Sequence, residues 1–123
     1  MRLFSTILAA SPLVGAGAAA AEPPAFPASE LRAALAGEAF TAQGMDFPPD
    51  PSRAYAFGFI TATAAAEARE GRWCDGHILP HELLEEVFTH IEALETPDET
   101  PADIAVTDAL GPLNPCAADE APQ

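Results

Sequence analysis

The chain has no lysine and only five arginines, against 19 aspartates and glutamates, which leaves a formal net charge of −14 over 123 residues. Phosphate backbones are gripped by basic contacts and anionic lipid attracts basic segments, so charge alone disfavours nucleic acid and anionic membrane surfaces as partners. A negative field instead suits encounter with a basic protein, or simply solubility in salt. Cysteine is scarce: Cys74 and Cys116 only, too far apart for a Cys-x-x-Cys redox pair. Beyond the N-terminus there is no run of the about 20 apolar residues that spanning a bilayer takes. The nearest, AYAFGFITATAAA, is short and is followed by Glu67 and Arg69. No repeat, strand alternation, phosphate loop or Gly-x-Ser-x-Gly elbow occurs, and nothing in the pattern calls for a cofactor.

Met1-Arg2, an apolar run to Ala20 and a small-x-small site before Glu22-Pro23-Pro24 read as a cleavable secretory signal over residues 1–21. The mature chain is then a single domain of about 100 residues outside the cytoplasm. There a lone cysteine pair most simply forms one disulfide, Cys74–Cys116, with two free thiols as the alternative. Closing a loop of about 43 residues stabilises by about 4 kcal/mol on the chain-entropy estimate.

Proline-rich joints divide the rest, because residues before proline avoid the helical region. Residues 22–28 read as a leader, 29–116 as the folded domain and 117–123 as a disordered tail. The pattern predicts four helices in an all-α bundle. The first spans residues 29–42, with Ser29 as N-cap, Leu31, Leu35 and Phe40 inward, and Gly37 as a weak point within it. The second, 51–70, is capped by Asp50, is apolar nearly all round and therefore central, and has Gly58 where a neighbour could approach closely. Gly71 stands just past its end. The third, 81–94, turns Leu84, Val87, Phe88, Ile91 and Leu94 inward and its glutamates outward. The fourth, 101–110, starts at a Thr100–Asp103 capping box, turns Ile104, Val106, Ala109 and Leu110 inward, and stops at Gly111.

The densest chemistry lies in GRWCDGHILPHELLEEVFTH, residues 71–90, which holds the single tryptophan and all three histidines. HELLE misses the zinc-protease motif, since the second ligand would be Glu85. His90, nine residues after His81, falls on the opposite helical face. His77 and Asp75 could complete a metal set, but solvated glutamates favouring the helix N-terminus are the simpler reading, and no metal is assigned. The histidines read as surface or boundary residues, and Trp73 as packing beside the disulfide. Ser52, Thr61 and Thr63 fall on or beside an apolar helix with no base marked out, so the chain is not read as an enzyme.

An ordered set of features runs through the second half: Tyr55 to Gly58, Cys74 and its loop, the helix with Leu84, Val87 and Leu94, Thr96-Pro97, Ala109-Leu110 and Asn114-Pro115-Cys116. This set resembles the Rap/Tai-type family of periplasmic immunity proteins, over roughly residues 55–116. The resemblance implies a small four-helix bundle, HdeA-like, that protects against peptidoglycan amidases delivered by type VI secretion by plugging the enzyme's cleft. Two features depart from the family's pattern. No cysteine pair stands in the first two helices, and Gly76 stands where a Cys-x-Pro loop has proline. On this reading the partner is a protein, a peptidoglycan amidase, met at the loop of Asp75, Gly76, His77, Ile78 and His81, with the acidic loop of Glu95, Asp98 and Glu99 second. A homodimer is compatible with this reading; an HdeA-like acid-stress chaperone and a periplasmic accessory protein with no catalytic role are the alternatives, and only four arginines remain in the mature chain to drive acid expansion.

Overall fold

The computed structural model describes residues 22–74, 78–111 and 116. Among them run α1 (Ala28–Leu35), a hairpin of β1 (Phe40–Ala42) and β2 (Met45–Phe47), α2 (Ser52–Arg69), α3 (Pro80–Glu92) and α4 (Ala102–Leu110). The architecture is mostly helical, but the antiparallel pair β1–β2 makes it more than an all-α bundle. The signal segment and tail of the sequence reading lie outside the described residues.

The hairpin is the main departure from the predicted first helix, and Gly37 causes it. Its φ of +79° is left-handed, where a Cβ is penalised. The Gly37 N–H donates to the Ala34 carbonyl at 3.0 Å and the Glu38 N–H to Ala33 at 2.9 Å, the paired bonds of a Schellman stop. Freed from the helix, Phe40 to Phe47 pair across Gln43-Gly44, both at positive φ, as a two-residue I′-type turn requires. Phe40 stacks on Phe47 at 4.8 Å, and the Thr41 hydroxyl donates to Asp46 across the pair. The Thr41 N–H donates to the Glu30 carboxylate on α1 and the Gln43 N–H to the Ala25 carbonyl, which pins the hairpin to the body.

None of the expected side-chain N-caps forms at Ser29, Asp50 or Thr100. Backbone replaces them at α1 and α4. Pro27 and Pro101 form an isolated antiparallel bridge. Across it Ala28 donates to Thr100, Ser29 to Pro97 and Ala102 to Phe26, so each helix start meets its orphan N–H groups on the other's approach. The Thr100 hydroxyl instead donates to the Thr96 carbonyl. The same arrangement draws in residues 22–28: Phe26 and Ala28 are buried, and Phe26 meets Tyr55 and Phe59 edge-on.

The short α1, not α2, is central. It packs on all three other helices and on β1, with Ala28, Leu31 and Ala34 sealed from solvent. Helix α2 buries one row, Ser52, Ala56, Ile60 and Ala64. Helix α3 buries Leu83, Val87 and Ile91, so its inward face is turned from the predicted one; Leu84 and Leu94 pack only partly and Phe88 is half-buried. Helix α4 buries Ala102, Ala105, Val106, Ala109 and Leu110 and leaves Ile104 outside.

Candidate functional site

The candidate site forms where α2 ends. Gly71, at φ +74°, stops that helix as Gly37 stops α1: its N–H donates to Ala68 and that of Arg72 to Glu67. The Arg72 side chain then returns to the same residue. Its guanidinium grips the Glu67 carboxylate with two bonds, at 2.7 and 2.8 Å, and also pairs with Glu70. The fork fits a planar carboxylate. The Arg72 hydrogen bond holds the Glu67 carboxyl below the usual carboxylate range, against the opposing effect of partial burial, and Glu67 in turn raises Arg72.

This clamp aims the next two residues. Trp73 is 5% exposed and its indole Nε1 has no partner among the described residues. Cys74 forms the disulfide with Cys116, 42 positions on in the sequence, with Cα atoms 5.0 Å apart, a distance ordinary for a cystine. The bond closes the α3–α4 hairpin at its base. Beside it an open cleft of about 710 Å³ runs along α4, lined by Trp73, Arg72, Asp103, Ile104, Thr107 and Asp108 among others. Arg72 is spent on Glu67 and Glu70, whereas Asp103 and Asp108 have no ion pair among the described residues. Asp108 sits in the last turn of α4, where a helix dipole disfavours a carboxylate and no basic residue offsets it. Ile104 is 47% exposed between them. The cleft is thus an acidic surface with an apolar centre, suited to a basic or amphipathic protein segment.

Of the loop expected to meet a partner, Asp75, Gly76 and His77 lie outside the described residues. Ile78 packs partly on the core, Leu79 is 51% exposed, and His81 is exposed. Pro80 opens α3, and the Glu82 carboxylate reaches back to the Leu79 N–H at 3.3 Å, a role beyond plain solvation. Glu95, Asp98 and Glu99 do not join this loop. They are exposed on the α3–α4 connection, at the far end of the hairpin from the disulfide, where Pro97 and Thr100 cap α1. The hydroxyls of Ser52, Thr61, Thr63 and Thr107 all donate to main-chain carbonyls. No group of three His, Cys, Asp or Glu among the described residues is placed to hold a metal, and no described helix is long and apolar enough to cross a membrane. The cleft was missed in the sequence because Ile104 was counted inward. Its signal was there: Asp103, Ile104, Thr107, Asp108 and Gly111 share one helical face.

No protein-family model matches the chain, and no curated protein matches it.

Proposed function

We propose that the protein is an exported binding protein of the immunity type, working in the periplasm by occlusion rather than by chemistry on a peptidoglycan amidase. The observation that carries this reading is the Cys74–Cys116 closure of the α3–α4 hairpin. It stands in the same order of features, from Tyr55 to Cys116, that resembles the Rap/Tai-type proteins. A cross-linked hairpin loses little freedom on docking, so more of its contact energy appears as affinity. Exposed Leu79 and Ile104 supply apolar contact near the disulfide, and Asp103 and Asp108 supply charge to steer a basic cleft edge.

The test is periplasmic co-expression with peptidoglycan amidases. The expected result is a co-purifying complex and rescue from lysis, both weakened by Leu79→Asp or Ile104→Asp at unchanged helix content. No complex and no rescue across amidase classes sinks the reading.

A further inference from the structure

Trp73 stands in the wall of the α4 cleft, buried, with its indole Nε1 sealed from solvent and no acceptor for it among the described residues. A folded chain pairs nearly all such donors, because an unpaired one forfeits stability that nothing else in the fold returns. The facing wall is α4. At about 100° per residue, Asp103 and Asp108 fall on the two flanks of a stripe that holds Ile104 and Thr107, about 7.5 Å apart along the helix axis. Both carboxylates are exposed, and neither has an ion pair among the described residues. Thr107 spends its hydroxyl donor on the Ile104 carbonyl, and Glu67 and Arg72 satisfy each other. The unspent groups of the cleft are therefore two separated anions, one exposed isoleucine between them and one buried N–H.

We propose that the cleft binds an extended basic segment of a protein, with the pattern basic–x–apolar–x–basic. Carboxylates on opposite flanks of a helix suit two separate cations rather than one shared ion, and no third ligand stands with them for a metal among the described residues. In an extended chain alternate side chains share a face, and four residues span about 13 Å. That span lets the outer two cations reach Asp103 and Asp108 while the central apolar side chain covers Ile104. A main-chain carbonyl of the same segment accepts from the Trp73 indole. Because Nε1 is sealed, that bond takes a shift of the ring as the segment seats. The inference rests on the binding-protein reading for the source of the segment, a protein partner, but not on which protein carries it.

The probe is the peptide acetyl-Arg-Ala-Leu-Ala-Arg-amide, titrated at low salt into the mature, oxidised protein while the emission of its single tryptophan is followed. A saturable change is expected, with half-saturation below about 1 mM, and none with glutamate in place of both arginines. Asp103→Asn combined with Asp108→Asn should weaken binding about fivefold, the loss of two exposed ion pairs. The two changes act oppositely on the helix dipole, one at each end of α4, so the fold should be kept. Glu85→Gln with Glu86→Gln removes the same charge from an exposed part of α3 outside the cleft and should leave the affinity as in the parent. Trp73→Phe, read by calorimetry, should lose about fivefold for want of one hydrogen bond. No saturable binding, equal binding of the acidic peptide, equal losses in the two double variants, or an unchanged affinity in Trp73→Phe overturns the inference. Co-expression with amidases is a separate readout: peptide binding without an amidase complex keeps the cleft chemistry and removes the amidase, and a complex without peptide binding does the reverse.

Discussion

Replacing Gly37 with alanine separates two accounts of the first helix by the sign of the effect. If that helix ran on to residue 42, Gly37 would be an interior helical glycine, and alanine would stabilise by about 1 kcal/mol. In the structure Gly37 ends the helix at φ +79°. A Cβ there costs about 1–2 kcal/mol. It would also stand 3.0 Å from Arg53 Nε, but that is a flexible exposed side chain that can move away. The net expectation is a loss of about 1–2 kcal/mol. For a domain of this size that lowers the midpoint by about 4–16 °C, read by far-UV circular dichroism. Gly58→Ala is the internal control: an open, exposed, mid-helix site where the same change should stabilise the dilute protein by about 1 kcal/mol. A Gly37→Ala midpoint equal to or above the parent refutes the Schellman stop and, with it, the hairpin that follows.

Three further changes probe the frame around the site. Ser52 is fully buried and its hydroxyl donates to the Glu38 and Pro48 carbonyls at 2.6 and 3.1 Å; Ser52→Ala should destabilise by about 1–3 kcal/mol in urea titration. Arg72→Gln releases Glu67 from a carboxyl held below its ordinary value of 4.5. A depressed carboxyl contributes stability above that value and loses it as pH falls through the folded one, so the gap between parent and Arg72→Gln should be full near neutrality and narrow in acid; a gap that widens in acid contradicts the clamp. Leu31→Ala, at the sealed meeting point of α1 with its neighbours, should cost about 2–5 kcal/mol, more than Leu84→Ala on the half-buried edge of α3.

What the sequence disclosed follows how local each signal is. Gly71 could be read as a helix stop because Glu67, Arg69 and Glu70 before it close the long uncharged run. Gly37 carries the same signal, but the helix-forming residues around it, Ala36 before and Glu38-Ala39 after, disguised it. Gln43-Gly44 lacks the Asn-Gly or Asp-Gly that marks a tight hairpin most clearly, and strands of three residues are too short for alternation to stand out. The mutual capping across Pro27 and Pro101 joins segments 74 residues apart, which no window along the chain can contain. On α3 the three- and four-residue spacing favours Leu84 of the pair Leu83-Leu84, whereas packing against α1 and α4 buries Leu83 and keeps Val87 and Ile91 inward. Ile104 was assigned inward on hydropathy alone, yet Ala102, Ala105 and Ala109 make the close contacts because small side chains let α4 sit tight on its neighbours. The disulfide was legible because only two cysteines exist to pair.

That covalent bracket around α3 and α4 underlies both the architecture and the functional reading, and intact-mass measurement on the purified mature protein tests it directly. The account predicts a mass two hydrogens below the reduced value and no uptake of alkylating reagent in the native protein. It also predicts a loss of about 4 kcal/mol when Cys74→Ser and Cys116→Ser are combined. Two thiols that alkylate freely without denaturant, with folding unchanged on reduction, would contradict it.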